Sequence, residues 1–420
     1  MKIAMFSDCY LDLTGGIVTS INAQKTALET NGHEVYVFST SYPKTVAEKR
    51  ELAKKNIFPV PSCRLIARGI APISRRPGII EKWLLREHPE LKEFDIFYVH
   101  YESGCSIAGL RLGKKLHIPT IQVMHGREDM GVSSIVPFGY RTLIAMLLNW
   151  FHSWYIPHPL KVHRDNYLAD TTAKAKMWTM MVNHANYADC LVCPSRHFAE
   201  KLAHYGVKRE FHIVPNGYPD ANFPSSPSLK QFTRNKTLRM IWHCRLSGEK
   251  RIMAFLEALT HVDGKYRLDV YGGGPDSGRA KRYAARHHLN VFFHGTVAFS
   301  EFQSVLQNSH LDILVSYNFD NYPLTLVEAE ANGVPCLICD PDMREIIPGG
   351  GFIQSSNETP KSIASAINEL FLHPERVRDM SSIMLKHRQE VLISKRIKTL
   401  ENVFRDIKHK NPTFNNPGVN

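Results

Sequence analysis

The sequence predicts an α/β protein built from two doubly wound parallel sheets, and three observations carry that reading. The chain has 420 residues, more than one hydrophobic core usually holds. Short apolar runs of strand length alternate with stretches long enough for crossover helices, the pattern of parallel sheets covered on both faces. The alternation runs through the first half, breaks at a proline- and serine-rich stretch at 219–236, and then begins again. The expected division is a first domain at 1–218, a linker at 219–236, a second domain at 237–390, a C-terminal helix at 391–410 and a disordered tail at 411–420.

In the first half, Lys2 to Ser7 reads as a strand, and Asp12-Leu-Thr-Gly15-Gly16 leads into a helix over Ile17 to Thr30 that Asn31-Gly32 stops. A strand, a glycine turn and a helix in that order let a ligand approach the backbone closely. The G-x-G-x-x-G fingerprint of a dinucleotide site is absent. Strands follow at Val35 to Ser39, Ile96 to His100, Thr120 to Met124, Cys190 to Cys193 and His212 to Val214. Ligands of such sheets bind beyond the carboxyl ends of the strands, which singles out His125 and Gly126. Between Pro137 and Trp178 lies an apolar and aromatic run, Leu143 to Phe151 with Trp154 and Tyr155, beside Lys161, His163, Arg164, Lys174 and Lys176. It is too short to cross a bilayer, which needs about 20 residues. An interfacial segment drawn to anionic lipid, with Arg64, Arg68, Arg75 and Arg76 upstream, a core helix and a dimer face are three readings that the sequence leaves open.

The second alternation has runs at Leu238 to His243, Tyr266 to Tyr271, Val291 to His294, Leu311 to Val315 and Pro335 to Cys339. Between the last two, Asn321-Tyr322-Pro323 puts a proline where a helix begins at no cost in hydrogen bonds, and a helix of about three turns is expected to end at Asn332-Gly333. Its N-terminus, with unpaired amides and the positive end of the macrodipole, favours an anion; Asp320 lies just ahead of it and Glu328 about one turn inside. From Lys361 onward helical patterns dominate, and Ile397, Leu400, Val403, Phe404 and Ile407 form one apolar stripe.

A net charge of +12 and a pI near 9.2 imply attraction to something anionic. No recognised nucleic-acid module is apparent, so nucleic acid is not an expected partner. The start MKIAMFSDCY shows no secretory pattern, and the expected location is the cytoplasm, with peripheral attachment to the inner face of the cell membrane. Eight cysteines include the pairs Cys190/Cys193 and Cys336/Cys339. Each pair lies in a strand-like run, where residues three apart point to opposite faces, so neither pair is expected to bind metal.

The segment Asp320-Asn321-Tyr322-Pro323-Leu324-Thr325-Leu-Val-Glu328, followed by A-x-A-x-G-x-P, resembles the E-x7-E signature of retaining glycosyltransferases of family 4, which have the GT-B fold of two Rossmann-like domains facing a cleft. The resemblance covers nearly the whole chain. It implies that Glu328 holds the ribose hydroxyls of a nucleotide sugar and that amides at the helix start hold the diphosphate. Asp320 would contact the sugar where most members have glutamate. Trp242-His-Cys-Arg245-Leu-Ser-Gly-Glu-Lys250 resembles the G-R-L-x-x-x-K segment, with His and Cys in place of the usual residues before the arginine, and implies that Arg245 and Lys250 neutralise the donor diphosphate. Tyr271-Gly272-Gly273-Gly-Pro275 resembles the G-x-G-P turn near the donor, and His294-Gly-Thr-Val297 falls where the backbone reads the base. His125 would contact the donor sugar, and Gly15 and Gly16 would lie near the donor phosphates and the acceptor.

The resulting expectation is a retaining hexosyltransferase that moves a hexose, glucose by preference, from a UDP-sugar to an acceptor hydroxyl. The acceptor expected is a membrane lipid or glycolipid of the diacylglycerol type; a polysaccharide or glycoprotein acceptor and a non-catalytic GT-B partner protein are the alternatives. Two cations at the leaving group do what a metal does in other transferases, so neither a cofactor nor an essential metal is expected.

Overall fold

Two parallel sheets organise the computed structural model, which describes residues 1–9, 15–40, 45–63, 73–297 and 299–410. The chain divides into two compact units, the first made of residues 1–215 with the segment from Ile393 onward, the second of Asn216–Leu392. Asp12, Thr14, Arg64, Arg68 and the tail after Lys410 lie outside the described residues.

The first unit runs β1 (Lys2–Ser7), α1 (Gly16–Thr30), β2 (Glu34–Ser39), α2 (Val46–Lys54), β3 (Ile57–Pro59), β4 (Ser62–Cys63), β5 (Ile73–Ser74), α3 (Pro77–Glu87), β6 (Ile96–His100), α4 (Gly104–Leu116), β7 (Thr120–Val123), α5 (Glu128–Ile135), α6 (Arg141–Ser153), α7 (Thr172–Tyr187), β8 (Cys190–Cys193), α8 (Arg196–His204) and β9 (Phe211–Ile213). Its main sheet has the order β3-β2-β1-β6-β7-β8-β9 with every pairing parallel, and β4 and β5 form a short antiparallel ribbon. The order reverses between β1 and β6, a topological switch point of the kind beside which such sheets bind ligands. Successive side chains serve opposite faces. Ala4 and Phe6 join one apolar cluster with Phe38, Phe97 and Trp178, while Ile3 and Met5 join another with Val35, Tyr98 and Phe404.

The second unit runs β10 (Leu238–Trp242), α9 (Ile252–Leu259), β11 (Tyr266–Tyr271), α10 (Ser277–Arg286), β12 (Val291–Gly295), α11 (Phe299–Gln307), β13 (Leu311–Leu314), α12 (Leu324–Ala331), β14 (Cys336–Ile338), β15 (Phe352–Gln354), α13 (Pro360–Leu372) and α14 (Glu375–His387). Its sheet has the order β12-β11-β10-β13-β14-β15, again parallel, with the reversal between β10 and β13. The final helix, α15 (Ile393–Lys410), belongs to the first unit, where Ile397, Leu400, Val403, Phe404 and Ile407 are buried against Ile3 and Met5.

The two cysteine pairs split between cores: Cys193 and Cys190 fall in different clusters of the first unit, Cys339 and Cys336 in different clusters of the second. Three details differ from the sequence reading. The stretch 219–236 does not hang between domains, because Phe232 is buried in the second unit's core and Lys230 Nζ donates to the Gln307 carbonyl at 2.6 Å. Helix α12 is eight residues, about two turns rather than three, because Pro323 precedes it and Gly333 leaves it with φ 66°. A Cβ on Gly333 would stand 2.4 Å from Leu385 Cδ2, so glycine is required there on two counts. Strands β3 and β15 were not read from the sequence, since three residues at a sheet edge carry too little pattern.

Candidate active site

In the second unit, the ends of β10 and β13 flank the switch point, and the loops leaving them carry most of the residues singled out by sequence. After β10 the chain makes a short 3-10 turn at Gly248–Lys250, and Arg251, with φ 63°, turns it into α9. This geometry sends the Lys250 side chain to the loop that precedes α12, where Nζ lies 2.6 Å from Asp320 Oδ1. Both side chains are nearly out of solvent, 13% and 10% exposed. Ser316 Oγ donates to the other Asp320 oxygen. Burial would lower the Lys250 pKa, but Asp320 outweighs it and holds the ammonium above its usual range. Arg245 stands apart, half exposed and paired with Glu249, whose carboxylate also accepts from Ser247 Oγ at 2.7 Å.

The start of α12 is capped by no side chain, and of its first-turn amides that of Leu326 turns back to the Pro323 carbonyl at 3.3 Å. The Thr325 hydroxyl is out of water contact and has no hydrogen-bond partner. Asn321 is buried, and Tyr322 and Leu324 pack against the small cluster of Tyr218, Val327, Ala331 and Val391. Pro323, with φ −69°, is the N-cap.

Glu328 has neighbours that the sequence reading did not supply. Ile241 of β10 pairs with Asp312 of β13 and shares its face of the sheet. His243, two residues after Ile241, returns to that face, which α12 covers. Its Nε2 lies 2.9 Å from Asp312 Oδ1, a charge contact whose angle is poor for a hydrogen bond, and its Nδ1 lies 3.1 Å from Glu328 Oε2. Burial opposes the imidazolium, yet Asp312 first and Glu328 second raise the pKa of His243 to about 10. The signals available in the sequence were the histidine standing before Arg245 and an acid inside the apolar run of β13.

The glycine turn after β11 is tied to its surroundings. Gly272, with φ 111°, donates its amide to the Gly295 carbonyl at 2.7 Å, and the Gly273 carbonyl accepts from Leu246 at 2.9 Å. The Gly272 amide is thus spent inside the fold. A Cβ on Gly274 would stand 2.2 Å from the Leu246 carbonyl oxygen, so this turn needs its third glycine on steric grounds; a Cβ on Gly273 would meet nothing within 4 Å. His294 stacks on Tyr271 with ring centroids 4.5 Å apart and contacts Asp269 at 2.7 Å.

Gly15, Gly16 and His125 belong to the first unit. Gly15 is extended, with φ 172°, and is the N-cap of α1; a Cβ there would meet nothing within 4 Å. Gly16 is the first residue of that helix. His125, after β7, shares a hydrogen bond of 2.9 Å with His100. Burial lowers its pKa to about 4, which leaves the ring neutral near pH 7. The ends of β1 and β6 and the start of α5 carry further groups that the sequence reading missed. Tyr101, at the end of β6, has φ 100°, a strained value for a non-glycine residue. The next residue, Glu102, is 4% exposed with one oxygen unpartnered. Burial and then Asp129 and Asp8 raise the Glu128 carboxyl to about 7. Asp8 is fully engaged, accepting from Ser74 Oγ, the Cys105 amide, and the Ser106 amide and hydroxyl. Among the described residues no group of three side chains gathers as metal ligands.

Residues 14–221 match the family described as Glycosyltransferase Family 4, and residues 230–386 match the family described as Glycosyl transferases group 1. The chain is 27% identical over 354 residues to an alpha-monoglucosyldiacylglycerol synthase of Streptococcus pneumoniae, a span covering 80% of this chain and 70% of that one. It is 25% identical over 288 residues to a protein of the same name from Acholeplasma laidlawii, covering 66% of this chain and 64% of that one. The crystal structure of Anabaena HepE in complex with UDP aligns at a TM-score of 0.67 and 13% identity, over 97% of this chain and 100% of that one, a likeness of fold.

Proposed function

The chain belongs to the GT-B glycosyltransferases, with a first half of the family 4 type and a second half of the group 1 type, and on that premise we propose that it transfers glucose from UDP-glucose to a hydroxyl of a membrane lipid or glycolipid of the diacylglycerol type, with retention at the anomeric carbon. The observation that carries this reading is the gathering of Lys250, Asp320 and the uncapped start of α12 beyond the switch point of the second sheet, with Glu328 one turn inside that helix. An uncapped helix start favours a diphosphate, and an acidic side chain one turn away suits the ribose hydroxyls. The relatives' names support a glucosyl group and a diacylglycerol acceptor.

In this reading the bond between the anomeric carbon and the phosphate oxygen breaks while the acceptor oxygen bonds to the same face, and the acceptor proton passes to the departing phosphate. Negative charge grows on that phosphate. Lys250, held by Asp320, and Arg245 stabilise it, and the reaction needs no metal.

Helix α6 supports the acceptor class. Ala145, Asn149 and His152 are buried, while Leu143, Met146, Leu147, Leu148 and Trp150 are exposed, with Phe138 84% exposed just ahead of the helix. A core helix does not present such a face. No helix among the described residues is long and apolar enough to cross a membrane, so α6 would lie on the surface, with exposed Lys161 and Arg164 in the segment that follows.

The test is incubation of the purified protein with UDP-glucose, UDP-galactose and UDP-N-acetylglucosamine against diacylglycerol, monoglucosyldiacylglycerol and soluble oligosaccharides, with UDP release and product NMR as readouts. An α-glucosylated lipid is the expected result. Transfer only to oligosaccharides would overturn the acceptor assignment, and an inverted product would overturn retention.

A further inference from the structure

We propose that His243 is the positioning residue of the nucleotide site: one imidazole clamped between Asp312 and Glu328 fixes the direction of the Glu328 carboxylate. The proposal rests on the reading of Glu328 as the ribose ligand and adds how that ligand is held. Three observations carry it.

Asp312 is fully buried on a central strand, and neither of its carboxylate oxygens has a hydrogen-bond donor in good geometry. An isolated carboxylate in such a place is costly, and His243 supplies the neighbouring positive group. The ring's two nitrogens lie on opposite sides, so the rigid group that compensates Asp312 on one side faces Glu328 on the other, at 2.9 Å and 3.1 Å. Phe302 packs on the ring, with centroids 4.8 Å apart, which leaves the imidazole little room to turn. Glu328 is the outermost member, its side chain 23% exposed. A flexible glutamate at the edge of the site thereby gains a fixed anchor in the core. The charged groups that face His243 are Asp312 from β13 and Glu328 from α12, and both favour its protonated form.

The experiment measures UDP affinity by calorimetry for the wild type, Glu328→Gln, His243→Asn, the double variant and Asp312→Asn, with thermal melts as a check of folding. Glu328→Gln comes first. If it binds UDP like the wild type, the ribose assignment fails and the positioning role falls with it. If it binds about tenfold or more weakly, the other variants test this inference alone. His243→Asn should then lose affinity to a similar extent, and the double variant should bind no more weakly than Glu328→Gln. Wild-type affinity in His243→Asn, or losses that multiply in the double variant, would overturn the proposal.

Asp312→Asn decides the matter even where His243→Asn fails to fold. Without Asp312 the imidazolium loses its strongest partner, so UDP affinity should fall between pH 7 and 9 relative to the wild type, in which the ligand's own titration is the same. Parallel pH profiles in the two proteins would show that His243 only fills the core.

Discussion

Two cationic side chains of the candidate site have different surroundings, and the difference sets their expected effects. Lys250 is buried against Asp320, whereas Arg245 is half exposed and shares its charge with Glu249. Removing Lys250 leaves Asp320 as an uncompensated, largely buried acid, so Lys250→Ala should lower both turnover and thermal stability. Arg245→Ala removes an exposed charge and should lower turnover with little effect on stability. A loss of about a hundredfold in turnover is expected for Lys250→Ala, the scale of removing one group that meets developing charge. Steady-state rates with and without EDTA, alongside melts, check both points; activity lost in EDTA and restored by a divalent ion would contradict the metal-free reading. Asp320, Arg245, Lys250 and Glu328 were legible in the sequence because residue type and spacing carried the resemblance. His243 and Asp312 were not recognised, because what joins them is the pairing of β10 with β13, residues about seventy apart in a chain with no local pattern linking them.

Helices α6 and α7 combine two properties that neither shows alone. The outer face of α6 is apolar and exposed, with Trp150 and Trp154 in contact at 4.3 Å between ring centroids. Its inner face carries His152, whose nitrogens meet His158 at 2.7 Å and His184 of α7 at 3.0 Å; His184 in turn meets Gln122 at 3.0 Å. Anionic vesicles should bind the protein at low salt, and replacing Lys161, Arg164, Lys174 and Lys176 by glutamine should release it, at about 1 kcal/mol per well-placed cation. Co-sedimentation at two salt concentrations measures this, and no binding at low salt would remove α6 as a lipid-facing helix. The inner face responds to acid. Burial lowers the pKa of His158 to about 4 and of His184 to about 3. A histidine whose folded pKa lies below its unfolded value contributes stability that is complete above about pH 6.5 and is lost as the pH falls toward those values. Melting temperatures should therefore drop between pH 6.5 and 4, and less steeply in His184→Gln. The sequence left α6 open among membrane, core and dimer readings because apolar periodicity shows that a helix has an apolar face but not what meets it.

At the scale of the whole molecule, the chain leaves the first unit after Pro215 and returns to it at Ile393. Helix α15 then covers one face of the first sheet: Phe404 meets Tyr98 with ring centroids 5.2 Å apart, and Asn31 Nδ2 donates to Glu401 at 2.7 Å. Ending the chain at Leu392 would expose Ile3, Met5, Ile121 and Val123, so the first unit should lose its cooperative melt while the second unit still folds. Phe404→Ala should destabilise the first unit by about 3 to 5 kcal/mol, measured by denaturant unfolding. The sequence by itself determined the fold class, the positions of the longer strands and the residue types at the start of α12, because apolar periodicity, turn residues and short motifs are local properties that each segment carries within it. Only the tertiary structure decided that 219–236 packs on the second unit, that the Gly272 amide is spent on Gly295, and that a buried histidine joins Asp312 to Glu328. Those outcomes depend on which strands lie side by side and how deeply each polar group is buried, and the free energies of burial and pairing belong to the assembled unit rather than to any stretch of its chain.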